Sequence, residues 1–348
     1  MEQIRWERYP LLAKNSRSLV WLKIQVNLGL ATNTIEAYGR SLEDFLRFCE
    51  RSSVVPESAT REHVSEYVRD LTSRPNPRGR NISSIDSVAG LRNSTLQLRL
   101  TAVRLFYDYL MEEGVRDDNP VGRGRYTPGK PFSSHRDRGL IPHFRKLPWI
   151  PNDEQWKNLL KAAQVEPPRN RLMFAMAYDT ALRREELCSL HISDIDPAQR
   201  LLRIRAENTK NRNERVVPYS ATTGTLFSTY LKHRRTLSRE GGSLFLSESR
   251  RNRARPISIW TWSKIVKGIA ARAGVNQFST HTFRHLCLTD LARADWELHD
   301  IAKFAGHRSL ETTLQYIHLS GRDLANKLEN GMATIHAWRL SLIGETFR

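Results

Sequence analysis

The spacing of apolar residues predicts that helices cover most of this chain. In the first third, apolar residues recur every three or four positions in three segments, as expected for helices that bury one face. The first segment begins at a candidate N-cap, Asn33, and runs to residue 49. The others span 64–71 and about 94–114. This region is predicted to be all helical.

Beyond residue 150 the pattern changes. Helical spacing covers about 152–165, 169–190 and 222–239. Between the last two, L-L-R-I-R and R-V-V-P flank a polar turn and predict a β-hairpin with Lys210 at its tip. A short strand is predicted at 244–246, with helices after it. The predicted fold class is therefore mainly α with a small β-sheet.

The length and composition predict two domains. A chain of 348 residues is long enough for each of two domains to bury its own core. A stretch rich in Gly, Pro and Ser lacks apolar periodicity, as a linker would. The expected organisation is a helical domain over 15–120, a basic linker over 121–150 and a second domain over 151–348.

The charge points to a polyanionic partner, with nucleic acid favoured over an acidic membrane. The formal net charge is +18. Residues 1–120 carry 17 basic and 16 acidic side chains, so the excess lies beyond them. The linker is either a solvated connector or a basic strap along a phosphate backbone. Its candidate DNA-binding residues are Arg123, Arg125, Lys130, Arg136 and Arg138.

A second stretch could also contact phosphates. It lies between the second and third predicted helices and has no regular pattern. Its candidate DNA-binding arginines are Arg74, Arg78, Arg80 and Arg92. The alternative interpretation is that this loop is disordered.

Other classes of protein fit poorly. The three cysteines, Cys49, Cys188 and Cys287, are widely spaced in apolar helical patterns and are predicted to be reduced core thiols. The sequence has neither an apolar run long enough to span a membrane nor a signal-peptide core at its charged start. We therefore expect a cytoplasmic, nucleoid-associated protein.

Four polar clusters interrupt the apolar patterns: T-A-L-R-R-E-E-L at 180–187, T-K-N-R-N-E-R at 209–215, H-T-F-R-H at 281–285 and A-G-H-R-S-L-E-T-T-L-Q-Y-I-H at 305–318. Each alone has a structural explanation, such as an ion pair between Arg183 and Glu186. His281 and His285 have the spacing of a zinc helix, but Thr282 and Arg284 argue against a metal there. Phosphate-binding glycine motifs are lacking, so we expect no cofactor.

Together the clusters supply the groups needed to attack a phosphodiester without metal. Guanidinium groups can stabilise the negative charge that gathers on phosphate oxygens in the transition state. Tyr316 could act as nucleophile because the neighbouring cations favour its ionised form. Lys210 is a candidate proton donor to the departing sugar oxygen.

These clusters resemble the motifs of the tyrosine recombinases, also called the phage integrase family. The resemblance implies six catalytic residues, Arg183, Lys210, His281, Arg284, His307 and Tyr316, supported by Glu186 and His285. It also implies that 15–120 is the SAM-like core-binding domain and that 151–348 is the α+β catalytic domain. Ala181 replaces the family's usual glycine.

The resemblance implies site-specific DNA recombination through a 3′-phosphotyrosyl intermediate, without metal or ATP. Family members act as tetramers on double-stranded DNA, often through a C-terminal segment that docks on a neighbour. Here that segment would carry Leu324, Leu328, Met332, Ile335 and Trp338, and the alternative is packing on its own domain. A type IB topoisomerase and a DNA-binding relative that does not cleave remain the alternative functions.

Overall fold

The computed structural model describes residues 4–74, 91, 93–121, 141, 147–209, 212–317 and 328. The chain divides into two compact units, residues 1–145 and 146–348. Helices dominate both units, and the second also contains a small antiparallel sheet. The predicted fold class is confirmed.

The first unit is a helical domain. Its described helices are α1 (Pro10–Lys14), α2 (Ser16–Asn27), α3 (Thr32–Arg51), α4 (Arg61–Ser73) and α5 (Asn93–Glu112). Large aromatic side chains fill the core, and Trp21, Phe45, Tyr67 and Tyr107 are almost fully buried. Burial of this apolar area supplies most of the stabilisation of such a domain.

The predicted N-cap of α3 is wrong. The helix begins two residues earlier than expected, and Ala31 occupies the N-cap position. The carbonyl of Ala31 accepts the N–H groups of Thr34 and Ile35. Backbone bonding therefore places Asn33 inside the first turn, although its side chain favours a cap.

The second unit surrounds its sheet with helices. Its helices are α6 (Asp153–Gln164), α7 (Pro168–Asp179), α8 (Arg184–Cys188), α9 (Ala221–Leu237), α10 (Ile259–Arg272), α11 (Thr280–Arg293), α12 (Leu298–Ala305) and α13 (Glu311–Ile317). Its strands are β1 (Ile195–Asp196), β2 (Leu201–Ile204) and β3 (Arg215–Pro218). The order is β1-β2-β3, with both pairs antiparallel.

The predicted hairpin is confirmed, with Leu202 opposite Val217 across β2 and β3. Strand β1 was not predicted because two residues are too short to show alternation. The predicted strand at 244–246 is wrong. Isolated bridges join Ser243 to His191 and Leu246 to Pro256.

The predicted helix over 169–190 is also wrong, because it breaks between Asp179 and Arg184. Ala181 has a φ of 47°, in the left-handed region. A side chain there costs about 1–2 kcal/mol, which glycine avoids. The break makes Arg183 the N-cap of α8.

An aromatic cluster fixes α11 against the rest of the unit. Phe283 is fully buried, and its ring lies 4.7 Å from that of Phe174 and 4.8 Å from that of Phe278, both edge to face. Such pairs add about 0.5–1.5 kcal/mol beyond their area burial. The cluster therefore holds the helix that carries Arg284 and His285.

The three cysteines are free and buried, which confirms the prediction of core thiols. Burial raises the pKa of Cys49 and of Cys188 to about 12, so both stay protonated at neutral pH. In the described part of the chain, no helix combines the length and apolarity required to cross a bilayer.

Candidate active site

Four chain segments bring polar and charged side chains together in the second unit. They are the break before α8, strand β3, helix α11 and the stretch from α12 to α13. The side chains they supply are Arg183, Glu186, Arg215, Arg284, His285, His307 and Tyr316.

A buried carboxylate anchors two of the cations. Glu186 is 1% exposed and accepts from Nη1 of Arg183 at 2.9 Å. Arg215 on β3 donates Nη2 and Nη1 to its two oxygens at 2.7 and 3.1 Å. Burial acts to raise the pKa of Glu186, but the hydrogen bonds and charge of Arg215, together with Arg183, hold it below its usual value. The carboxylate stays ionised and orients Arg183.

Gly306 makes room for Arg215. Its φ is 64°, and it ends α12 in the left-handed conformation. A Cβ at this position would lie 3.0 Å from Nη1 of Arg215. Arg215 also donates Nε to the carbonyl of Phe304 at 3.1 Å. A glycine is thus required both by the backbone and by the guanidinium packed on it.

Arg284 is a buried cation held by backbone groups. It is 6% exposed, and it donates Nη1 to the carbonyl of Ala181 at 2.8 Å and Nη2 to that of Ala305 at 2.6 Å. Burial lowers the pKa of Arg284 to about 10, and Arg183 adds to the shift, so the group stays charged at neutral pH. It forms no salt bridge with any described residue. A buried charge without a counter-ion is costly, so this environment favours an incoming anion.

A comparison within the unit separates Arg284 from a purely structural arginine. Arg234, 3% exposed, spreads Nε, Nη1 and Nη2 over four backbone carbonyls near the end of α9. Arg284 donates to two carbonyls only, so its guanidinium keeps hydrogen-bonding capacity for a further acceptor.

The hydroxyl of Tyr316 lies against a histidine. Tyr316 is 3% exposed, and its oxygen is 3.1 Å from Nδ1 of His285. Burial lowers the pKa of His285 to about 4, and the charges of His281 and Arg284 add to the shift. At neutral pH the imidazole is therefore neutral, and one of its nitrogens can accept a proton.

His307 lies on the other side of the tyrosine ring. The two rings are 6.0 Å apart and 5° from parallel. Nδ1 of His307 is 2.8 Å from the hydroxyl oxygen of the fully buried Thr313. Burial lowers the pKa of His307 to about 3, with further contributions from Arg284 and Arg183. His307 is therefore neutral, and it helps fix the position of the ring.

His281 lies one helical turn before His285 on α11 and is exposed. Partial desolvation lowers its pKa, and Arg184, Arg284 and Arg183 contribute in the same direction against Glu185. These cations and the low pKa values of the histidines show that the site has a strongly positive field.

Several sequence-predicted residues lie outside the described residues. Among them is Lys210. The candidate DNA contacts in this position are Arg78, Arg80, Arg92, Arg123, Arg125, Lys130, Arg136 and Arg138, and the C-terminal segment joins them apart from Leu328. Arg74 is described, and its guanidinium pairs with Asp44 at 2.7 Å and with Asp70. A phosphate would have to compete with these two carboxylates for Arg74.

Two residues of the site were missed from the sequence. Arg215 stands at the end of the third polar cluster, directly before V-V-P, and its strand position hid its link to Glu186. Thr313 lies three residues before Tyr316, on the same face of the helix, which was the available signal.

Metal ligands are not grouped in the described residues. No set of three or more His, Cys, Asp or Glu side chains is arranged there to hold an ion. His281 and His285 instead lie among arginines, whose charge disfavours a divalent cation.

Two family models match the chain. The model described as the phage integrase family matches residues 151–322. The model described as the N-terminal SAM-like domain of phage integrases matches residues 21–114. Together they cover most of the sequence.

Curated relatives match over most of their length. Transposase A from transposon Tn554 of Staphylococcus aureus is 25% identical over 331 residues, which is 88% of this chain and 88% of that protein. The tyrosine recombinase XerD of Caulobacter vibrioides is 27% identical over 314 residues, covering 86% and 90%.

Solved structures share the fold. A lambda integrase dimer bound to a COC′ core site has a TM-score of 0.64 at 18% identity, covering 88% of this chain and 96% of that one. The Tn1549 transposon integrase in complex with transposon right end DNA has a TM-score of 0.65 at 15% identity, covering 94% and 99%.

Proposed function

This chain belongs to the phage integrase family of tyrosine recombinases, and we propose that it exchanges DNA strands at specific sites with Tyr316 as its nucleophile. The observation that carries the proposal is the position of the Tyr316 hydroxyl. It lies 3.1 Å from a neutral histidine nitrogen, in a site that also holds the buried cation Arg284.

The proposed cleavage step is balanced within the site. The phenolic O–H bond of Tyr316 breaks, its proton passes to Nδ1 of His285, and the oxygen bonds to phosphorus. The P–O5′ bond then breaks, and the sugar oxygen takes a proton from Lys210. The product is a 3′-phosphotyrosyl link and a free 5′-hydroxyl. Because one phosphoester replaces another, the reverse attack by a 5′-hydroxyl rejoins the strand without ATP.

The proposed role of the arginines is to stabilise the transition state. Arg183 and Arg284 would bind the non-bridging phosphate oxygens, where negative charge develops, and so supply the charge that a metal supplies in other enzymes. Glu186 and Arg215 orient Arg183. His281 would donate a further hydrogen bond to the phosphate from the exposed side.

We assign Lys210 as the proton donor on the strength of its place between β2 and β3. The residues on either side of it belong to a paired hairpin. A lysine at such a tip can reach a leaving group, and its ammonium is protonated at neutral pH.

The proposed partner is double-stranded DNA. The neighbouring structures include recombinases bound to DNA, and the chain carries a net charge of +18. We propose that residues 15–120 form a core-binding domain, that 121–150 is a basic linker and that 151–348 is catalytic. The predicted contacts from the linker and from the loop at 74–92 belong to this proposal, as does association with the nucleoid.

We further propose that the active assembly is a tetramer on DNA. Strand exchange requires two cleaved duplexes to be held together, and one protomer supplies one tyrosine. The C-terminal segment beyond residue 323 is the proposed docking element between protomers. Leu328, which is 60% exposed, is its one described residue.

A plasmid with two copies of the cognate site in direct orientation tests the reaction class. We expect two smaller circles, which can be separated on a gel. Relaxation of the plasmid without such circles would identify a topoisomerase-like enzyme instead. Binding without any nicking would identify a relative that does not cleave.

The role of His285 predicts a change in pH dependence. Because its pKa is about 4, its neutral form is present throughout pH 6–8, so its contribution to wild-type cleavage is constant there. In His285→Ala the phenol must ionise without this base. We expect single-turnover cleavage at pH 7 to fall about 100-fold or more and to rise about tenfold per pH unit below the tyrosine pKa.

His285→Asn is the matched control, because an amide can keep the hydrogen bond but cannot take the proton. It should show the same pH slope as His285→Ala with better thermal stability. A flat profile in both variants, at the wild-type rate, would remove His285 from the chemistry.

A further inference from the structure

A second cationic surface lies outside the candidate active site. Residues 247–256, here called the arginine loop, read S-E-S-R-R-N-R-A-R-P. Their four arginines, Arg250, Arg251, Arg253 and Arg255, are all exposed. None forms a salt bridge with a described residue. Four like charges without counter-ions repel one another, so the surface favours an anionic partner.

The backbone of the loop is fixed. The N–H of Ser247 donates to the carbonyl of Arg255 at 2.7 Å, and that of Ala254 donates back to Ser247 at 2.9 Å. The preceding Phe245 is fully buried and accepts the N–H of Ile257 at 3.0 Å. The loop thus presents its arginines from an ordered frame, which lowers the entropy cost of binding.

The single carboxylate of the loop points away from the arginines. Glu248 has a side chain 27% exposed, and its Oε1 lies 3.3 Å from Nε2 of His233 and 3.8 Å from Nη1 of the buried Arg169. The exposed face therefore keeps a charge of one sign.

The loop leads towards the candidate active site. It runs directly into α10, whose cap Ser258 accepts the N–H of Thr261 at 3.1 Å. Trp260 is 74% exposed, and the guanidinium carbon of Arg184 lies 5.9 Å from the centre of its ring. Arg184 follows Arg183 in the chain. An exposed tryptophan beside a cation offers a flat face for a sugar or base.

We propose that the arginine loop and Trp260 form a binding site for the phosphate backbone of duplex DNA beside the cleaved phosphate. This inference rests on the proposed function and adds a binding surface that supplies affinity rather than chemistry. Duplex DNA presents about one charge per 1.7 Å of axis, which suits four closely spaced arginines better than the separate carboxylates of an acidic protein segment.

The test is the quadruple variant R250A/R251A/R253A/R255A, assayed for binding to the cognate duplex over a range of salt concentrations. Each lost phosphate contact lowers the slope of log affinity against log salt by about 0.9. We expect the slope to fall by about 3 and the affinity at 0.1 M salt to fall about 100-fold or more. The cleavage rate at saturating protein should stay within a few-fold of wild type.

The control variant K157A/K161A/K232A/R235A removes four exposed cations from α6 and α9. Its salt slope should change by less than about 1. Trp260→Ala should weaken binding about tenfold with an unchanged salt slope, because the lost contact is uncharged. Equal losses in the two quadruple variants would overturn the proposal.

Two further outcomes are distinguishable. Normal DNA affinity with loss of protomer association would assign the loop to an acidic surface of a second copy, against this proposal. Failure of the proposed function would appear as an absence of covalent adduct in the wild-type protein itself. Failure of the loop proposal would leave that adduct intact and the salt slopes unchanged.

Discussion

Tyr316→Phe is expected to abolish the covalent adduct between the protein and DNA while leaving DNA affinity within about twofold of wild type. The substitution removes one oxygen, and no other group of the site can form the phosphotyrosyl bond. The buried ring keeps its packing against His307, so the fold should be retained. Denaturing gels of protein incubated with a nicked cognate duplex measure the adduct, and a filter-binding assay measures affinity.

Tyr178→Phe is the matched control for this experiment. Its hydroxyl donates to Asp290 at 2.8 Å, and burial, followed by that hydrogen bond, raises its pKa above the usual range. A phenol held in this way is a poor nucleophile, so the control should form adduct at the wild-type rate. An undiminished adduct in Tyr316→Phe would refute the assignment of the nucleophile.

Arg284→Ala should lower single-turnover cleavage about 1000-fold and DNA affinity only a few-fold. One well-placed donor to a developing oxyanion contributes a factor of about 100–1000, and Arg284 also removes positive charge from the site when it is lost. The measurement is the rate of adduct formation at saturating protein, so that differences in affinity do not enter.

Arg234→Ala controls for the loss of a buried arginine. It removes a guanidinium that is also bonded to carbonyls but lies at the end of α9. We expect it to lower the melting temperature with little effect on the cleavage rate of the folded fraction. Equal losses of binding and cleavage in Arg284→Ala would make Arg284 a backbone anchor rather than a transition-state group.

The periodic elements of this fold were predictable because local spacing determines them. Helix α6 and the β2–β3 hairpin lie where the apolar pattern places them. The break before α8 was not predictable, because Ala181 adopts its left-handed conformation where its carbonyl meets Arg284, which lies 103 residues further along the chain. No local pattern carries that contact.

The candidate site divides in the same way. Its residue types could be identified from spacing within each motif, since Arg284 and His285 are adjacent on one helix. The links between motifs could not be identified. The ion pair from Arg215 to Glu186 joins a strand to a helix, and the contact of Tyr316 with His285 joins two helices 31 residues apart. Such pairings depend on tertiary packing, which the sequence pattern does not report.

The most direct test of the central claim is to identify the residue that becomes linked to DNA. Wild-type protein would be incubated with a nicked cognate duplex in excess chelator and without nucleotide, then digested with trypsin and analysed by mass spectrometry. Cleavage by the cationic site alone predicts a DNA-linked peptide spanning 309–322, modified at Tyr316. DNA attached to another peptide, or an adduct that forms only after a divalent metal is added, would contradict it.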